Sequence, residues 1–416
     1  MTDVGSAISG SQLVAKQLRV EGIDCIFGIV AGPISDVFPA ALREGIRVIS
    51  CRHEEQAGFM AQAYGYLTKK PGILVVGSGP GMTNTVTSMH VAQESGWPLV
   101  VLGGSAYAHW RGLGGFQEAQ QVAVAQPVSK WAIEVDSTER IPEYIHLALG
   151  KALSGRPGAV YLDFPGQIVN GTIAVDRMRL RRIQPVPSRP HPDPVAIQSI
   201  AEMLATAQRP LVLIGKGAAW ADATEPLSRL VGLGLPFVAS PLGRGTVPDD
   251  DPRCVGAARS LALKQTDAIL MVGGRFNWIF LSRGGYSDAV GTWPPDVRIA
   301  QIDVVPEEMY SAVTVDIGVT ADCATAIDAL CDALSGRSLR SASTGWLEEL
   351  QAASLRNQAS LQEQMSSDAI PINCFRLWRD VRDSLDRDAT VVVDGEITLG
   401  VGRMVMPCYY PRHRLN

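Results

Sequence analysis

Short apolar runs alternate with longer helical patterns along the first part of the chain. The runs are rich in β-branched residues and end in glycine or charged positions, so they predict strands. The predicted strands cover 22–30, 47–52, 72–77, 98–103 and 158–164, and the clearest helices cover 11–21 and 84–95. This alternation indicates the α/β class, in which a mostly parallel sheet carries helices on both faces.

Two breaks divide the pattern. The segment 183–195 contains five prolines and is predicted to be an extended linker, because proline fixes φ and lacks an N–H donor. A second α/β series follows, with predicted strands at 210–214, 236–239, 268–272 and 298–304. After the polar stretch 335–345 come helices at 346–364 and from 372, and a strand at 390–393. We therefore predict domains over 1–183 and 195–335, and over 346–416 a linker helix with the start of a third domain.

Composition narrows the class of partner. The chain has 416 residues, enough for two or three domains, with a net charge of −5 and no basic tract, so nucleic acid is not an expected partner. No signal segment or membrane-length apolar run is visible. The seven cysteines are scattered without a C-x-x-C pair, which favours reduced thiols and a cytoplasmic location.

Three predicted strands end in unusual residues. The first runs into Gly32, the second into Glu54, and the third into the glycine-rich turn "GSGPG" that contains Gly79. In open α/β sheets ligands bind beyond the carboxyl ends of the strands, so a common site is one interpretation. Taken alone, Glu54 is better explained as a solvated carboxylate at a helix start. The glycine turn alone is explained equally well as a tight connection.

Other candidates lie farther along the chain. The long glycine-rich loop 103–121 follows the fourth strand, and loops of this length are often functional. Lys216, Arg275 and Asp303 follow strands of the second series, where such residues suit phosphates and a ribose hydroxyl. Ordinary surface charge explains them equally well at this point.

Five motifs together carry a resemblance to a known family. They occur in the order "GIVAGP", "RHEEQAGFMAQAYG", "GSGPGMTN", "SGRPGAVYLDFP" and "QIDVVPEE", and they span almost the whole chain. The chain resembles the thiamine-diphosphate-dependent decarboxylases and lyases. The resemblance implies a three-domain architecture, each domain a mostly parallel sheet flanked by helices, with the third incomplete in this chain.

The resemblance also implies roles for the residues at the strand ends. Glu54 matches the glutamate that hydrogen-bonds N1′ of the cofactor's aminopyrimidine ring and favours its imino tautomer. The other residues that match cofactor-binding positions are Gly32, Gly79, Pro80 and Asn84. Glu55 is expected to be a plain carboxylate at a helix N-terminus.

Within the family the chain is most similar to the acyl-CoA branch. The motifs are "GGRFNW" with Asn277-Trp278, "AARSLAL" around Arg259, and "YYPRHRLN". Oxalyl-CoA decarboxylases carry a Tyr-Glu pair where Phe116-Gln117 stand, so a 2-hydroxyacyl-CoA lyase that forms formyl-CoA and an aldehyde or ketone is favoured. An oxalyl-CoA decarboxylase, an acetolactate synthase-like enzyme and a non-catalytic nucleotide-binding relative remain alternatives.

The same resemblance implies the substrate and nucleotide positions. Phe116, Gln117 and Gly32 match the substrate pocket, and Gln117 is expected to hydrogen-bond the 2-hydroxyl or the departing carbonyl. Relatives usually have a bulky aliphatic residue at the position of Gly32, so a branched acyl group is expected to fit. The residues that match ADP positions are Arg156, Lys216, Arg275, Asp303 and Asp322, and those that match CoA positions are Arg259 and Arg403.

One expected motif does not appear. The family holds Mg²⁺ through a Gly-Asp-Gly sequence followed by asparagine, and neither occurs at the required place here. We expect the metal site in a C-terminal part beyond this chain, without which the chain should be inactive. The resemblance further implies a homo-oligomer, with a dimer as the minimum active unit and a tetramer as a common state.

Overall fold

The chain forms two α/β units, each with its own parallel sheet. The computed structural model describes residues 7–182, 188–277, 280, 293–310 and 313–415. Contacts separate Met1–Pro187 from Ser188–Asn416, and the boundary falls in the proline-rich segment predicted as a linker. Its residues 183–187 lie outside the described part, as does Trp278. The expected linker ends earlier than predicted, because Pro194 occupies the first turn of a helix, where no N–H donor is required.

The first unit is built on a parallel six-stranded sheet. The strands of the unit, six in this sheet and two outside it, are β1 (Ala7–Ser9), β2 (Cys25–Gly28), β3 (Arg47–Ser50), β4 (Gly72–Val76), β5 (Leu99–Ser105), β6 (Trp131–Glu134), β7 (Ala159–Pro165) and β8 (Thr172–Ala174). The sheet order is β3-β2-β4-β5-β7-β6, and β1 pairs with β8 in a separate antiparallel ribbon. The predicted sheet is confirmed, and the strands that end in the unusual residues are neighbours at one side of it.

Helices cover both faces of this sheet. They are α1 (Gly10–Val20), α2 (Val37–Arg43), α3 (Glu54–Thr68), α4 (Pro80–Thr83), α5 (Val86–Ser95), α6 (Gln121–Ala125), α7 (Ile141–Leu153) and α8 (Gly166–Val169). Alternate residues of β4 enter opposite cores: Ile73 and Val75 pack under α1, α2 and α7, whereas Leu74 and Val76 pack under α3 and α5. Fully apolar strands are typical of a parallel sheet buried on both faces.

The second unit repeats this design with a five-stranded parallel sheet. Its strands are β9 (Pro210–Ile214), β10 (Phe237–Ala239), β11 (Ala268–Val272), β12 (Arg298–Asp303) and β13 (Ile317–Thr320), in the order β10-β9-β11-β12-β13. Two short strands, β14 (Val391–Val392) and β15 (Arg414–Leu415), form a separate parallel pair. The sequence patterns did not indicate the short strands β1, β6, β8, β13 and β15. All of them except β15 lack a continuous buried run.

The described helices of the second unit pack on both faces of its sheet and beyond it. They are α9 (Pro194–Thr206), α10 (Lys216–Trp220), α11 (Thr224–Gly232), α12 (Arg259–Gln265), α13 (Cys323–Leu334), α14 (Trp346–Ala359), α15 (Gln362–Met365), α16 (Cys374–Ser384) and α17 (Glu396–Val405). The buried Trp346 anchors α14 on the sheet by donating its indole N–H to the Pro210 carbonyl at 3.0 Å. Among the residues that can be described, no helix is long and apolar enough to cross a membrane.

The C-terminal strands and α17 are held to the second unit by a buried ion pair. Arg244 pairs with Asp249, and both side chains are almost fully enclosed. Asp249 also accepts the backbone N–H of Cys408 at 2.8 Å, and Arg244 donates to the Met406 carbonyl at 2.8 Å. Residues 346–415 therefore belong to the second unit here. Its assignment to a separate third domain stays a prediction.

Candidate active site

Glu54 begins helix α3, shortly after strand β3 ends. His53 is the N-cap of the helix, with extended backbone, and its Nδ1 accepts the N–H of Glu55 at 3.2 Å. Glu54 is therefore the first helical residue, next to the positive end of the helix dipole. This helix start fixes the position of the Glu54 side chain in the site.

One oxygen of the Glu54 carboxylate is committed to a hydrogen bond. The side-chain amide of Asn84 donates from Nδ2 to Oε2 of Glu54 at 3.0 Å. Oε1 lies on the side of Gly81, where a β-carbon would stand 3.8 Å away. Within the described ranges, no side chain donates a hydrogen bond to Oε1. The carboxylate is thus oriented by Asn84 and presents its second oxygen beside the glycine-rich turn.

The turn after β4 packs tightly against two other loops. Gly79 has φ +56°, and a β-carbon there would stand 2.5 Å from the Gln117 carbonyl oxygen. On the other side, the N–H of Ser78 donates to the Gly32 carbonyl at 3.3 Å. Only glycine combines this left-handed conformation with such a close approach. The turn therefore brings Gly32, Gln117 and the α3 helix start together.

Gly32 borders open space. A β-carbon at this position would meet nothing within 4 Å, in contrast to Gly79. No steric demand of the fold therefore requires glycine here. The expectation that the missing side chain leaves volume at the site agrees with this geometry.

The glycine-rich loop places Gln117 against the turn and Phe116 in the open. Gln117 has φ +53°, and its Oε1 accepts the Ser78 hydroxyl at 3.4 Å. Phe116 is 78% exposed in the described chain. The loop is closed by Glu118, which accepts the N–H groups of Gly112 and Gly115 at 2.7 and 3.3 Å. The two predicted pocket residues thus face different surroundings.

Sequence reasoning missed Gln121. This buried side chain accepts the N–H of Gly79 at 2.6 Å and lies between the turn and the sheet. It stands in the polar run "EAQQ", which gives no sign that one of its amides is buried. Only the fold distinguishes it from its exposed neighbour Gln120.

Most of the predicted ADP residues gather at the strand ends of the second unit. Lys216 begins α10 after β9, Arg275 follows β11, and Asp303 ends β12. Asp322 caps α13 by accepting the N–H groups of Ala324 and Thr325 at 3.0 and 3.2 Å. Neighbouring parallel strands bring these positions to one edge of the sheet.

Asp303 and Asp322 both lie near Cys323, whereas Arg156, the fifth predicted ADP residue, lies in the first unit. Burial raises the pKa of the Cys323 thiol well above its usual range, and the charges of Asp303 and Asp322 raise it further. The thiol is therefore inert and lies close to both carboxylates. Arg156 belongs to the first unit, where it donates to the Glu94 carbonyl.

Arg259 and Arg403 are brought together in the second unit. Burial lowers the pKa of the Arg259 guanidinium to about 10, and the positive charge of Arg403 adds to this effect. Arg259 is half-buried and Arg403 is exposed. Two neighbouring cations of this kind suit a ligand with several negative charges.

Comparisons with known proteins agree with this architecture. The family model "Thiamine pyrophosphate enzyme, N-terminal TPP binding domain" matches residues 8–124, and "Thiamine pyrophosphate enzyme, central domain" matches residues 197–330. Thiamine pyrophosphate is another name for thiamine diphosphate. The chain belongs to the family of thiamine-pyrophosphate-dependent enzymes.

Within this family the relatives point to one branch. Human 2-hydroxyacyl-CoA lyase 1 is 34% identical over 411 residues, which cover 98% of this chain and 70% of the relative. The 2-hydroxyacyl-CoA lyase of Arabidopsis thaliana is 33% identical over 424 residues, covering 99% and 73%. The oxalyl-CoA decarboxylase of Escherichia coli K12 is 32% identical over 423 residues, covering 100% and 74%. The predicted family is confirmed.

Proposed function

We propose that the protein is a thiamine-diphosphate-dependent 2-hydroxyacyl-CoA lyase. It cleaves the C1–C2 bond of a 2-hydroxyacyl-CoA and gives formyl-CoA and an aldehyde or ketone. The observation that carries this proposal is the Glu54 carboxylate, held by Asn84 on one oxygen and presenting the other beside the glycine turn. The likeness to 2-hydroxyacyl-CoA lyases over nearly the whole chain supports the choice of reaction.

The residues of the first unit fit the pyrimidine half of thiamine diphosphate. To bind this ring, a site needs a carboxylate that hydrogen-bonds the ring nitrogen. It also needs a surface without side chains on which the flat ring can lie. Glu54 Oε1 supplies the first, and Gly81, whose built β-carbon would have that oxygen as its nearest neighbour at 3.8 Å, supplies the second. Thiamine diphosphate, when bound, supplies a nucleophilic carbon and an electron sink for breaking a carbon–carbon bond.

The chain's own task at this point is proton control. Oε1 of Glu54 would share a proton with the ring nitrogen N1′, while Asn84 keeps the carboxylate in the required orientation. An oriented acid–base group of this kind contributes about 10²–10⁴-fold to turnover. Glu55, one residue later, follows the N-cap and takes no part in the Asn84 contact.

Gln117 is the candidate for recognising the reacting part of the substrate. Its side-chain amide both donates and accepts hydrogen bonds, whereas an ionised carboxylate only accepts. The amide N–H can therefore donate to the oxygen of a departing aldehyde or ketone. The position of Gln117 against the Gly79 turn supports this assignment.

Mg²⁺, ADP and the oligomeric state belong to the proposal as well. The expected magnesium motif is absent from the sequence, and the described ranges contain no cluster of three His, Cys, Asp or Glu side chains that suits a metal. The strand-end arrangement of Lys216, Asp303 and Asp322 supports an ADP site in the second unit. A homodimer or homotetramer and a cytoplasmic location stay predictions of the family resemblance.

Arg259 is predicted to bind the phosphates of CoA. Arg259→Gln should raise KM for the acyl-CoA about tenfold, the loss expected for one charge-assisted hydrogen bond, with little change in kcat. Initial-rate kinetics at several salt concentrations measure this effect. Arg356→Gln is the matched control, because Arg356 is exposed on α14. An unchanged KM in the Arg259 variant would remove this residue from the CoA site.

Gly32 is predicted to set the width of the acyl pocket. Gly32→Ile adds a branched side chain where a β-carbon meets nothing within 4 Å, so folding should not suffer. We expect the variant to lose at least about tenfold in kcat/KM on a branched 2-hydroxyacyl-CoA while linear substrates lose less than about threefold. Competition between the two substrates in one reaction gives this ratio directly. Equal losses on both substrates would contradict the role of Gly32 in setting the width of the acyl pocket.

A substrate panel tests the proposed reaction against its alternatives. The full-length protein is incubated with thiamine diphosphate, Mg²⁺ and, in separate arms, 2-hydroxyacyl-CoAs, oxalyl-CoA or pyruvate. We expect formyl-CoA and a carbonyl fragment from the 2-hydroxyacyl-CoA arm at the highest kcat/KM. Faster release of carbon dioxide from oxalyl-CoA would favour the decarboxylase, and condensation of pyruvate would favour the acetolactate synthase reaction. Inactivity in every arm would favour a non-catalytic nucleotide-binding role.

A further inference from the structure

A buried polar network lies directly beneath the proposed reaction site. We call it the inner network, and it consists of Ser105, Gln121, Tyr161 and Asp163. All four side chains are nearly inaccessible to solvent, and Asp163 is 3% exposed. The Asp163 carboxylate accepts the Ser105 hydroxyl at 2.6 Å, the Tyr161 hydroxyl at 2.6 Å and the Gln121 amide at 2.7 Å.

The inner network fixes which way Gln121 points. A carboxylate accepts hydrogen bonds and cannot donate them, so Nε2 of Gln121 must face Asp163. The same Nε2 lies 2.7 Å from the Tyr161 hydroxyl oxygen and 3.0 Å from the Gly104 carbonyl. Oε1 is left to face outwards, where it accepts the Gly79 N–H at 2.6 Å. A reversed amide would place oxygen against carboxylate and leave the Gly79 N–H without its acceptor.

The network is held by hydrogen bonds rather than by an ion pair. None of the described residues places a cationic group within salt-bridge distance of Asp163. Burial raises the pKa of the Asp163 carboxyl, the bonds from Ser105, Tyr161 and Gln121 oppose this shift, and the charge of Glu134 adds to it. Burial also raises the pKa of Tyr161 well above its usual range, so Tyr161 stays a donor.

Gln121 therefore determines where the glycine turn sits. The turn has no room to shift towards Gln117, because the Gln117 carbonyl lies within 2.5 Å of a β-carbon built on Gly79. Gln117 itself adopts φ +53°, an uncommon conformation for a residue with a side chain. A displacement of Gly79 would move Gln117 and the neighbouring start of α4 relative to Glu54.

We propose that Gln121 is a positioning residue, which couples the buried Asp163 carboxylate to the Gly79 N–H and so fixes Gln117 relative to Glu54. For its effect on turnover this inference rests on the proposed lyase function. The restraint of the turn by the hydrogen bond between the Gly79 N–H and Gln121 does not depend on that function. Gln121 touches neither substrate nor cofactor in this scheme.

Hydrogen exchange of the turn tests the hold directly. Gln121→Met keeps the length of the side chain and removes both the acceptor for Gly79 and the donor to Asp163. Amides of the peptide that spans residues 75–84 should exchange about tenfold faster than in the wild type, the effect of losing one buried hydrogen bond. Peptides from α1 and α7 should keep their protection. Gln120→Met, at the exposed neighbouring position, should leave the exchange of 75–84 unchanged.

Kinetics test the consequence for turnover. A misplacement on the scale of an ångström costs about 100-fold, so Gln121→Met should lower kcat by that order and leave KM within about threefold. Gln121→Glu puts two carboxylates together and should be as slow. The double variant Gln121→Glu with Asp163→Asn restores one amide and one carboxylate, and it should recover kcat to within about tenfold of the wild type.

The outcomes separate this inference from the proposed function. Unchanged exchange of 75–84 in Gln121→Met would overturn the hold on the turn, and faster exchange with unchanged kcat would overturn the positioning role. If the double variant is no faster than Gln121→Glu alone, the amide–carboxylate pairing is overturned. If the wild type cleaves no 2-hydroxyacyl-CoA, the lyase proposal fails, whereas the exchange result still decides whether Gln121 holds Gly79.

Discussion

Glu54→Gln should reduce turnover of a 2-hydroxyacyl-CoA by about 10²–10⁴-fold, the contribution of a positioned acid–base group. The amide of the new side chain can still meet Asn84 through its oxygen, so the local structure is retained. What is lost is the carboxylate Oε1 beside Gly81, which alone can share a proton with the ring nitrogen. The thermal midpoint should change little, because a carboxylate in a helix first turn contributes only about 0.3–1 kcal/mol.

Glu55→Gln is the matched control for this prediction. It removes a carboxylate from the same helix turn without touching the contact between Asn84 and Glu54. Its turnover should stay within about twofold of the wild type, as expected for a surface substitution. Steady-state kinetics and thermal unfolding of both variants give the comparison. Wild-type turnover in Glu54→Gln would remove this residue from the mechanism.

Gly79→Ala should destabilise the first unit and abolish most activity. Alanine at φ +56° and ψ −111° costs about 1–3 kcal/mol, because residues with a β-carbon rarely adopt this backbone conformation. Its β-carbon would also stand 2.5 Å from the Gln117 carbonyl oxygen, which forces the loop to move. Together we expect a loss of about 2–4 kcal/mol in the free energy of unfolding, in the range of mutations that strain the backbone. Denaturant unfolding followed by circular dichroism measures it.

Gly81→Ala is the control for Gly79→Ala. It tests whether the loss is specific to the Gly79 conformation or follows from replacing any glycine in this segment. Gly81 lies in helix α4, and the nearest atom to its built β-carbon is Glu54 Oε1 at 3.8 Å, an ordinary contact distance. Its free energy of unfolding should therefore stay within about 1 kcal/mol of the wild type. If both alanine variants unfold at the same denaturant concentration, the account of the Gly79 turn is wrong.

The sequence predicted the sheets well because their strands are continuous apolar runs. The runs at 210–214 and 268–272 match β9 and β11 residue for residue. Strand β6 (Trp131–Glu134) escaped notice because it is a half-buried edge strand without such a run. The predicted helix at 84–95 matches α5, which begins at Val86, whereas the short helix α4 before it, Pro80–Thr83, was not predicted.

The candidate site was predictable in part. Strand-end position indicated Gly32, Glu54 and Gly79, since parallel strands bring their carboxyl ends to one edge. The hydrogen bond between Asn84 and Glu54 was not predictable, because it depends on how α4 folds back from the turn. Gln121 was missed for the same kind of reason: burial and partners of a single amide arise only from tertiary packing.

One measurement tests the proposed reaction most directly. The full-length protein, with thiamine diphosphate and Mg²⁺, is given a 2-hydroxyacyl-CoA labelled with carbon-13 at the thioester carbon C1. The account predicts that the label appears in formyl-CoA and that the unlabelled remainder leaves as an aldehyde or ketone, in equal amounts. Label recovered as carbon dioxide, or a substrate whose C1–C2 bond remains intact, would contradict it.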